Sequence, residues 1–182
     1  MISLPEPALV VLIGAAGSGK STLAARTFPP EWILSSDAHR ALVSGNEADQ
    51  TATRTAFSVL HRRLVKRLAA RQTTVVDATN VTPFARRSLV RRAAAQGIPA
   101  VAVVLDLEPR LVLARNAMRV GARIVPVSAV ERQLADLERS LRRGSLDQEG
   151  FAAVHVLRTP VDVDAFGIAA PGGLPVSPPP RR

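Results

Sequence analysis

The sequence predicts an α/β protein, a three-layer sandwich in which helices cover both faces of a mostly parallel, five-stranded sheet. Short runs rich in Val, Leu and Ile alternate with longer amphipathic segments, and the chain contains no internal repeat. This alternation is typical of parallel strands that are buried on both faces. A glycine-rich loop follows the first apolar run directly. We therefore expect ligands at the carboxyl ends of the strands, where the connections change direction.

The length and composition indicate one domain with a substantial core, because the chain has 182 residues and is 47% hydrophobic. The chain has no cysteine, which excludes disulfides and thiolate metal sites. The first apolar run is six residues long and has no basic segment before it, unlike a signal peptide or a membrane span. We expect a cytoplasmic protein without a membrane partner, and the oligomeric state stays open.

The charge balance favours a polyanionic partner. The formal net charge is +9, and the chain has 22 arginines but only 2 lysines. A positive excess of this size is typical of proteins that bind nucleic acid. Base composition of the coding DNA is the alternative explanation for the preference for arginine over lysine.

Each predicted element has a local reason. Buried-type apolar runs predict strands at residues 9–13, 32–34, 73–77, 100–105 and 151–157. Leucines at helical spacing predict a long helix at 49–72 with a basic face, and Thr82-Pro83 and Gly97 delimit a helix at 84–96. Further helices are predicted at 20–27, from 36 or 37 to about 45, at 108–118, and from a capping box at Ser128 and Glu131 to about 143.

The domain prediction follows from these elements. Residues 1–167 form the domain, with a helical lid at about 115–130, and the Pro-rich residues 168–182 form an extended or disordered tail.

The glycine-rich loop fits the phosphate-binding pattern G-x-x-x-x-G-K-[ST]. Its glycines let backbone N–H groups turn inward around an anion, the lysine adds a positive charge, and the following helix points its positive dipole end at the phosphates. The residues expected to bind the nucleotide are Gly14, Gly17, Ser18, Gly19, Lys20, Ser21 and Thr22. A chance glycine-rich turn is the alternative, and the strand and helix that flank the loop argue against it.

Two oxygen-bearing side chains are candidates for holding Mg²⁺. Ser21 belongs to the loop, and Asp77 ends the third predicted strand. The two lie side by side if the third strand neighbours the first, and hydroxyl and carboxylate oxygens suit Mg²⁺. The alternative for Asp77 is a turn or helix-capping aspartate.

An acceptor site is suggested by Asp37 and Arg40, which share one face of a short helix. A carboxylate there is suited to accept a hydroxyl proton, while a guanidinium binds an anionic group of the acceptor. An ordinary surface ion pair explains the same spacing equally well.

A second arginine group belongs to the lid. Arg115, Arg119 and Arg123 are four residues apart in a segment that contains Gly121. Such a lid brings arginines over the β- and γ-phosphates when it closes. A plain solvated arginine face is the alternative.

Over residues 9–157 the chain resembles the P-loop kinases that include the 5′-OH polynucleotide kinases, particularly the kinase module of bacterial and phage polynucleotide kinase-phosphatases. The resemblance rests on the phosphate loop and on Ser35-Ser36-Asp37-Ala38-His39-Arg40, which matches a family Ser-x-Asp-x-x-Arg pattern. It also rests on Val76-Asp77-Ala78-Thr79-Asn80 and Arg123-Ile124-Val125-Pro126. It implies a P-loop NTPase fold of the nucleoside-monophosphate-kinase type, with ATP and Mg²⁺ as cofactors.

Carried over residue by residue, the resemblance makes Asp37 the general base and Arg40 a ligand of the acceptor phosphate. Arg119 and Arg123 become lid contacts with ATP, with Arg115 beside them, and Lys20 keeps its place at the phosphates. Asn80 is expected on the substrate side.

Three functions remain open from the sequence. The favoured one is a kinase that phosphorylates the 5′-hydroxyl end of RNA or DNA. Small P-loop kinases of sugars, antibiotics or peptidoglycan precursors share the Asp-Ala-Thr-Asn and Arg-x-Val-Pro elements, so a small-molecule kinase is the second. A non-catalytic nucleotide-dependent switch is the third. The base pocket is expected from the lid and from late-loop residues such as 158–161.

Overall fold

A computed structural model describes residues 1–36, 53–120 and 124–169 of the chain. Within this part the side chains of residues 53–57 are not described. Asp37 and Arg40 of the predicted acceptor site, and Arg123 of the predicted lid, lie outside the described residues. Among the described helices, none has the length and hydropathy that a membrane crossing needs.

Five strands form one sheet in the order β2-β3-β1-β4-β5, and every neighbouring pair is parallel. The sheet confirms the predicted fold class, with wholly parallel pairing among the described strands. The strands are β1 (Leu9–Ile13), β2 (Ile33–Ser35), β3 (Thr74–Asp77), β4 (Ala100–Leu105) and β5 (Ala153–Leu157).

Six α-helices are described: α1 (Lys20–Thr27), α2 (Thr53–Ala69), α3 (Pro83–Ala94), α4 (Pro109–Ala117), α5 (Val127–Arg142) and α6 (Pro160–Ala165). Short 3₁₀ turns cover Pro30–Trp32 and Leu146–Gln148. The Thr82 hydroxyl accepts a hydrogen bond from the Ala85 N–H, so Thr82 caps α3 as the sequence predicts.

The central strands are buried on both faces, which explains why they are almost wholly apolar. On one face, Leu60, Leu64 and Leu68 of α2 pack beside Leu89 of α3. On the other face, Leu23 and Phe28 pack against the alternate residues of β1. The helices therefore form two layers around the sheet, as predicted.

Three local predictions need correction. The predicted strand at 32–34 lies one residue later, because Trp32 belongs to a 3₁₀ turn. Helix α5 begins at Val127 with Pro126 as its cap residue and no side-chain cap bond, so Ser128 is not the N-cap. Residues 158–161, expected in a loop, instead lead into α6.

The end of the described chain returns to its start. Ile2 and Ile168 form a parallel bridge, and the Ala169 N–H donates to the Ile2 carbonyl at 2.8 Å. Of the predicted tail, Ile168 thus pairs with Ile2 and Ala169 is hydrogen bonded to it, and residues 170–182 lie outside the described part.

Candidate nucleotide and metal site

The phosphate loop connects the carboxyl end of β1 to the start of α1. Gly17 and Gly19 have φ values of 88° and 97°, in the left-handed region that favours glycine. A Cβ at Gly17 would also lie 2.5 Å from the Val112 carbonyl oxygen, because α4 packs directly against the loop. Glycine at this position is therefore required by backbone conformation and by space.

Lys20 lies over the loop that precedes it. Its side chain is buried, and its Nζ donates to the Ala15 carbonyl at 2.8 Å and to the Ser18 hydroxyl at 3.3 Å. A loop of inward-turned N–H groups, a lysine ammonium and the start of α1 together make an anion-binding site. The loop lies between a strand and a helix, as the sequence predicts, and nucleotide binding by its residues stays a prediction.

Ser21, in the first turn of α1, meets Asp77 at the end of β3. The Ser21 hydroxyl donates to Asp77 Oδ2 at 2.7 Å, although the residues are 56 positions apart in sequence. Asp77 is buried at the end of β3, and β3 pairs directly with β1. A hydroxyl beside a carboxylate is a donor set that suits Mg²⁺. These two residues would hold the ion, which neutralises phosphate charge when bound.

The turn after Asp77 is hydrogen bonded to the phosphate loop and to β1. The Gly14 N–H donates to the Thr79 carbonyl at 2.9 Å, and the Asn80 side-chain amide donates to the Leu12 carbonyl at 2.8 Å. Asn80 is only 5% exposed. The amide expected on the substrate side thus makes a contact within the protein, and substrate binding by Asn80 stays a prediction.

A buried arginine holds the same turn from the other side. Arg86 and Glu149 form a bidentate ion pair, with Nε 2.6 Å from Oε2 and Nη2 2.7 Å from Oε1. Both side chains are fully buried. Arg86 Nη1 donates to the carbonyls of Asn80 and Val81 at 3.1 and 2.6 Å. The sequence missed this role because Arg86 stood in a predicted basic helix. Arg86 lies three residues before Leu89, on the apolar face of α3, and this position was the signal in the sequence that Arg86 is buried.

The two ends of the lid are joined near the loop. The Asn116 side chain donates to the Val125 carbonyl at 2.8 Å and accepts from the Val125 N–H at 3.2 Å. Gln133 of α5 accepts a hydrogen bond from the Ala16 N–H at 2.8 Å. Asn116 and Gln133 were not among the predicted site residues. Gln133 bonds to a residue 117 positions away, and Asn116 bonds to the backbone of Val125, a residue that belongs to no recognisable site motif.

A cavity of about 290 Å³ lies on the outer side of the loop. The Arg26 guanidinium closes one side, with Nη1 3.2 Å from Asp164 Oδ1 and Nη2 donating to the Val163 carbonyl. Arg115 and Arg119 of the predicted lid both line this cavity. The other lining residues are Gly17, Ser18, Gly19, Thr22, Leu23, Arg26, Val163 and Asp164. Because it adjoins the phosphate loop, this space is the candidate site for a nucleotide, and we call it the nucleotide cavity.

Two carboxyl groups near this edge have shifted pKa values. Burial raises the pKa of Asp106, and the Arg158 charge opposes that rise. Hydrogen bonds from the backbone N–H groups of Thr159 and Arg158 lower the pKa of Asp162, which caps α6. Among the described residues, no cluster of three or more His, Cys, Asp or Glu could hold a metal ion. A magnesium ion would therefore depend on the Ser21 and Asp77 pair together with phosphate oxygens.

The AAA domain family model matches residues 9–143, which run from β1 through α5. The chain belongs to the AAA domain family. No curated protein matches the sequence. The AAA domain of this chain has a P-loop kinase-like fold.

Three solved structures illustrate the likeness. A chain of the Pnkp1/Rnl/Hen1 RNA repair complex is 23% identical, with a TM-score of 0.65 over 78% of this chain and 47% of that one. A putative kinase from Chloroflexus aurantiacus is 16% identical, with a TM-score of 0.58 over 90% and 93%. A sugar kinase from Janibacter sp. is 20% identical, with a TM-score of 0.55 over 86% and 90%.

These identities establish the fold alone. The present chain spans about half the length of the chain from the RNA repair complex, because it covers 47% of it.

Proposed function

We propose that this protein is an ATP- and Mg²⁺-dependent kinase that transfers the γ-phosphate to the 5′-hydroxyl end of RNA or DNA. The observation that carries the proposal is the register of β2 on β3, which sets Ser35 opposite Asp77. The chain therefore leaves β2 beside the metal-binding pair, and Asp37 follows Ser35 by two residues. The acceptor motif thus begins at the edge of the sheet that carries the phosphate loop.

In the proposed reaction, the 5′-hydroxyl oxygen of the acceptor attacks the γ-phosphorus, and the Asp37 carboxylate accepts the proton of that hydroxyl. The bond between the γ-phosphorus and the β,γ-bridging oxygen breaks, and ADP leaves. Lys20, Arg119 and Arg123 offset the charge on the transferred phosphoryl group. Arg40 binds the phosphate next to the accepting nucleoside.

Two further observations favour a polynucleotide acceptor. Helices α2 and α3 contain no Asp or Glu and carry several exposed arginines, which suits a polyanion. The structural neighbour from an RNA repair complex shares the fold over most of this chain.

A small-molecule kinase is the second candidate. The sugar kinase from Janibacter sp. shares the fold over 90% of its own length and 86% of this chain. A closed acceptor site beside Asp37 would suit that function, whereas an open basic surface suits a nucleic acid.

A labelling experiment separates the two. The protein is incubated with labelled ATP, Mg²⁺ and a panel of 5′-OH RNA, 5′-OH DNA and small alcohols. We expect label on the oligonucleotides, and Asp37→Ala should lower the rate by about 10²- to 10⁴-fold because the general base is lost.

Asp147→Ala is the matched control, since it removes an exposed aspartate that precedes β5 at the opposite edge of the sheet. It should label oligonucleotides like the wild type. Label on a small alcohol alone would contradict the proposal in favour of the second candidate. Tight ATP binding without any labelled acceptor would indicate a switch.

A further inference from the structure

A second cavity, of about 670 Å³, lies between α2 and α3 and is lined by Ser58, His61, Arg62 and Arg92. It shares no lining residue with the nucleotide cavity. Both helices cover the same face of the sheet, with α2 against β2 and β3 and α3 against β1 and β4. The cavity therefore opens on the outer side of this helical layer.

The surface around the cavity is strongly positive. Arg62 on α2 and Arg87 and Arg91 on α3 are exposed, and neither helix contains a carboxylate. None of these arginines takes part in an ion pair with another described residue. Arg92 is held against α3, because its Nη1 donates to the carbonyl and the hydroxyl of Ser88.

The histidine of the cavity adds no positive charge to that of the arginines. Burial, and then the charge of Arg92, lower the pKa of His61, so this imidazole is neutral near pH 7. The surface keeps the same charge over the physiological range.

One aromatic side chain lies at the start of α3, the end of the helix that follows β3 and Asp77. Phe84 is 83% exposed, in a chain in which only 3% of residues are aromatic. It is the second residue of α3, which begins just after the turn that carries Asp77 and Asn80. Arg87 and Arg91 follow it by three and seven residues and so share its face of the helix. They lie about 4.5 and 10 Å further along the helix axis, from the rise of 1.5 Å per residue.

We propose that the α2–α3 cleft, meaning the cavity lined by Arg62 and Arg92 together with the exposed face of α3 that carries Phe84, Arg87 and Arg91, binds the single-stranded nucleotides that follow the accepting 5′ end. Phe84 stacks on a base, and the arginines bind the phosphates of the strand. An aromatic ring beside a basic track is the arrangement that single-strand binders use, because every unpaired base offers a face for stacking. The inference rests on the proposed function, since it extends that acceptor away from Asp37.

The binding test uses the full chain and a labelled 5′-OH DNA strand of about 12 nucleotides, within the range of known single-strand sites. Fluorescence anisotropy gives the dissociation constant at several salt concentrations. Phe84→Ala should weaken binding by about 5- to 150-fold, the loss expected for one stacked base. Phe84→Leu should weaken binding as much as Phe84→Ala, because leucine is apolar but has no aromatic ring on which a base can stack. Phe84→Trp keeps an aromatic ring and should bind like the wild type.

The phosphate contacts have a separate readout. The triple variant Arg87→Gln, Arg91→Gln, Arg92→Gln should reduce the slope of log affinity against log salt by about 2, at roughly 0.7 for each single-strand phosphate contact. The matched control is Arg139→Gln, Arg142→Gln, Arg143→Gln, which removes the same charge from the end of α5. The control should keep the wild-type slope.

Equal losses in the cleft and control variants would overturn the inference, since overall charge would then explain binding. Wild-type binding by Phe84→Ala and by the cleft triple variant would overturn it as well. The kinase assay keeps the two proposals apart. If the wild type phosphorylates oligonucleotides while the cleft variants keep its KM and affinity, the cleft inference alone fails. If the wild type phosphorylates no oligonucleotide, the proposed function fails.

Discussion

Arg86 shows at the scale of one residue how a charge is kept inside this protein. All of its described partners accept hydrogen bonds: the Glu149 carboxylate, the Ser140 hydroxyl and the carbonyls of Asn80 and Val81. A buried arginine is tolerated when its charge is paired and its N–H groups are satisfied. The pair thereby joins the turn after β3 to the segment that precedes β5.

Replacing Arg86 tests this account. Arg86→Met should lower the free energy of unfolding by about 3–5 kcal/mol, because it leaves the Glu149 carboxylate buried without its partner. Urea unfolding measures the change. In the double variant Arg86→Met, Glu149→Leu the loss should be smaller, since no buried charge remains. A double variant less stable than Arg86→Met would show that the pair is not the main source of the loss.

At the scale of an element, α6 depends on its first turn. The Thr159 hydroxyl accepts from the Asp162 N–H at 3.1 Å, and Asp162 Oδ2 accepts from the Thr159 N–H at 2.8 Å. This reciprocal capping box satisfies N–H groups that a helix leaves without partners. Because Val163 and Asp164 line the nucleotide cavity, the capping of α6 also positions one wall of that cavity.

The capping aspartate predicts a pH dependence. The pKa of Asp162 is lowered in the folded protein, so its contribution to stability is fully present above the ordinary aspartate pKa of about 3.9. That contribution is lost as the pH falls through the lowered folded value. Carboxyl NMR titration should place the pKa of Asp162 below 3.9. Acid unfolding of Asp162→Asn should lack this component, and an unshifted titration would contradict the prediction.

At the scale of the whole molecule, a few contacts between distant segments assemble the site. Ser21 meets Asp77, Gly14 meets Thr79, and the Ala16 N–H reaches Gln133, 117 residues away. These contacts join the phosphate loop to β3 on one side and to α5 on the other. Ligand binding at the loop should therefore stabilise the domain as a unit.

Thermal unfolding tests this coupling through ligand linkage. A ligand at about 100 times its Kd adds about 2.7 kcal/mol to the stability of the folded state. We expect ATP with EDTA to raise Tm through the loop alone, and ATP with Mg²⁺ to raise it further. Asp77→Asn should lose the magnesium-dependent part, because the amide is a poorer ligand for Mg²⁺ than the carboxylate.

Asp106→Asn is the control for this experiment, since Asp106 also follows a strand at the same edge of the sheet. It should keep the full magnesium-dependent rise in Tm. A full magnesium effect in Asp77→Asn would remove Asp77 from the proposed metal site.

Much of this protein was determined by local sequence. Apolar runs specified the strands, the glycine pattern specified the phosphate loop, and Thr82 specified where α3 begins, because each depends on neighbours within a few residues. The capping-box pattern at Ser128 and Glu131 misplaced the cap of α5. Periodicity missed α6, because a helix of six residues has too few turns to produce a pattern.

Only the tertiary structure decided which distant groups meet. A period of two or 3.6 residues assigns a side chain to a face but does not say which strand or helix lies beside it. The order β2-β3-β1-β4-β5 brings Asp77 to Ser21. Folding likewise turned Arg86, one arginine of a predicted basic helix, toward Glu149, 63 residues away. Strand order and helix packing are set by long-range contacts, and they bring Asp77 beside the phosphate loop.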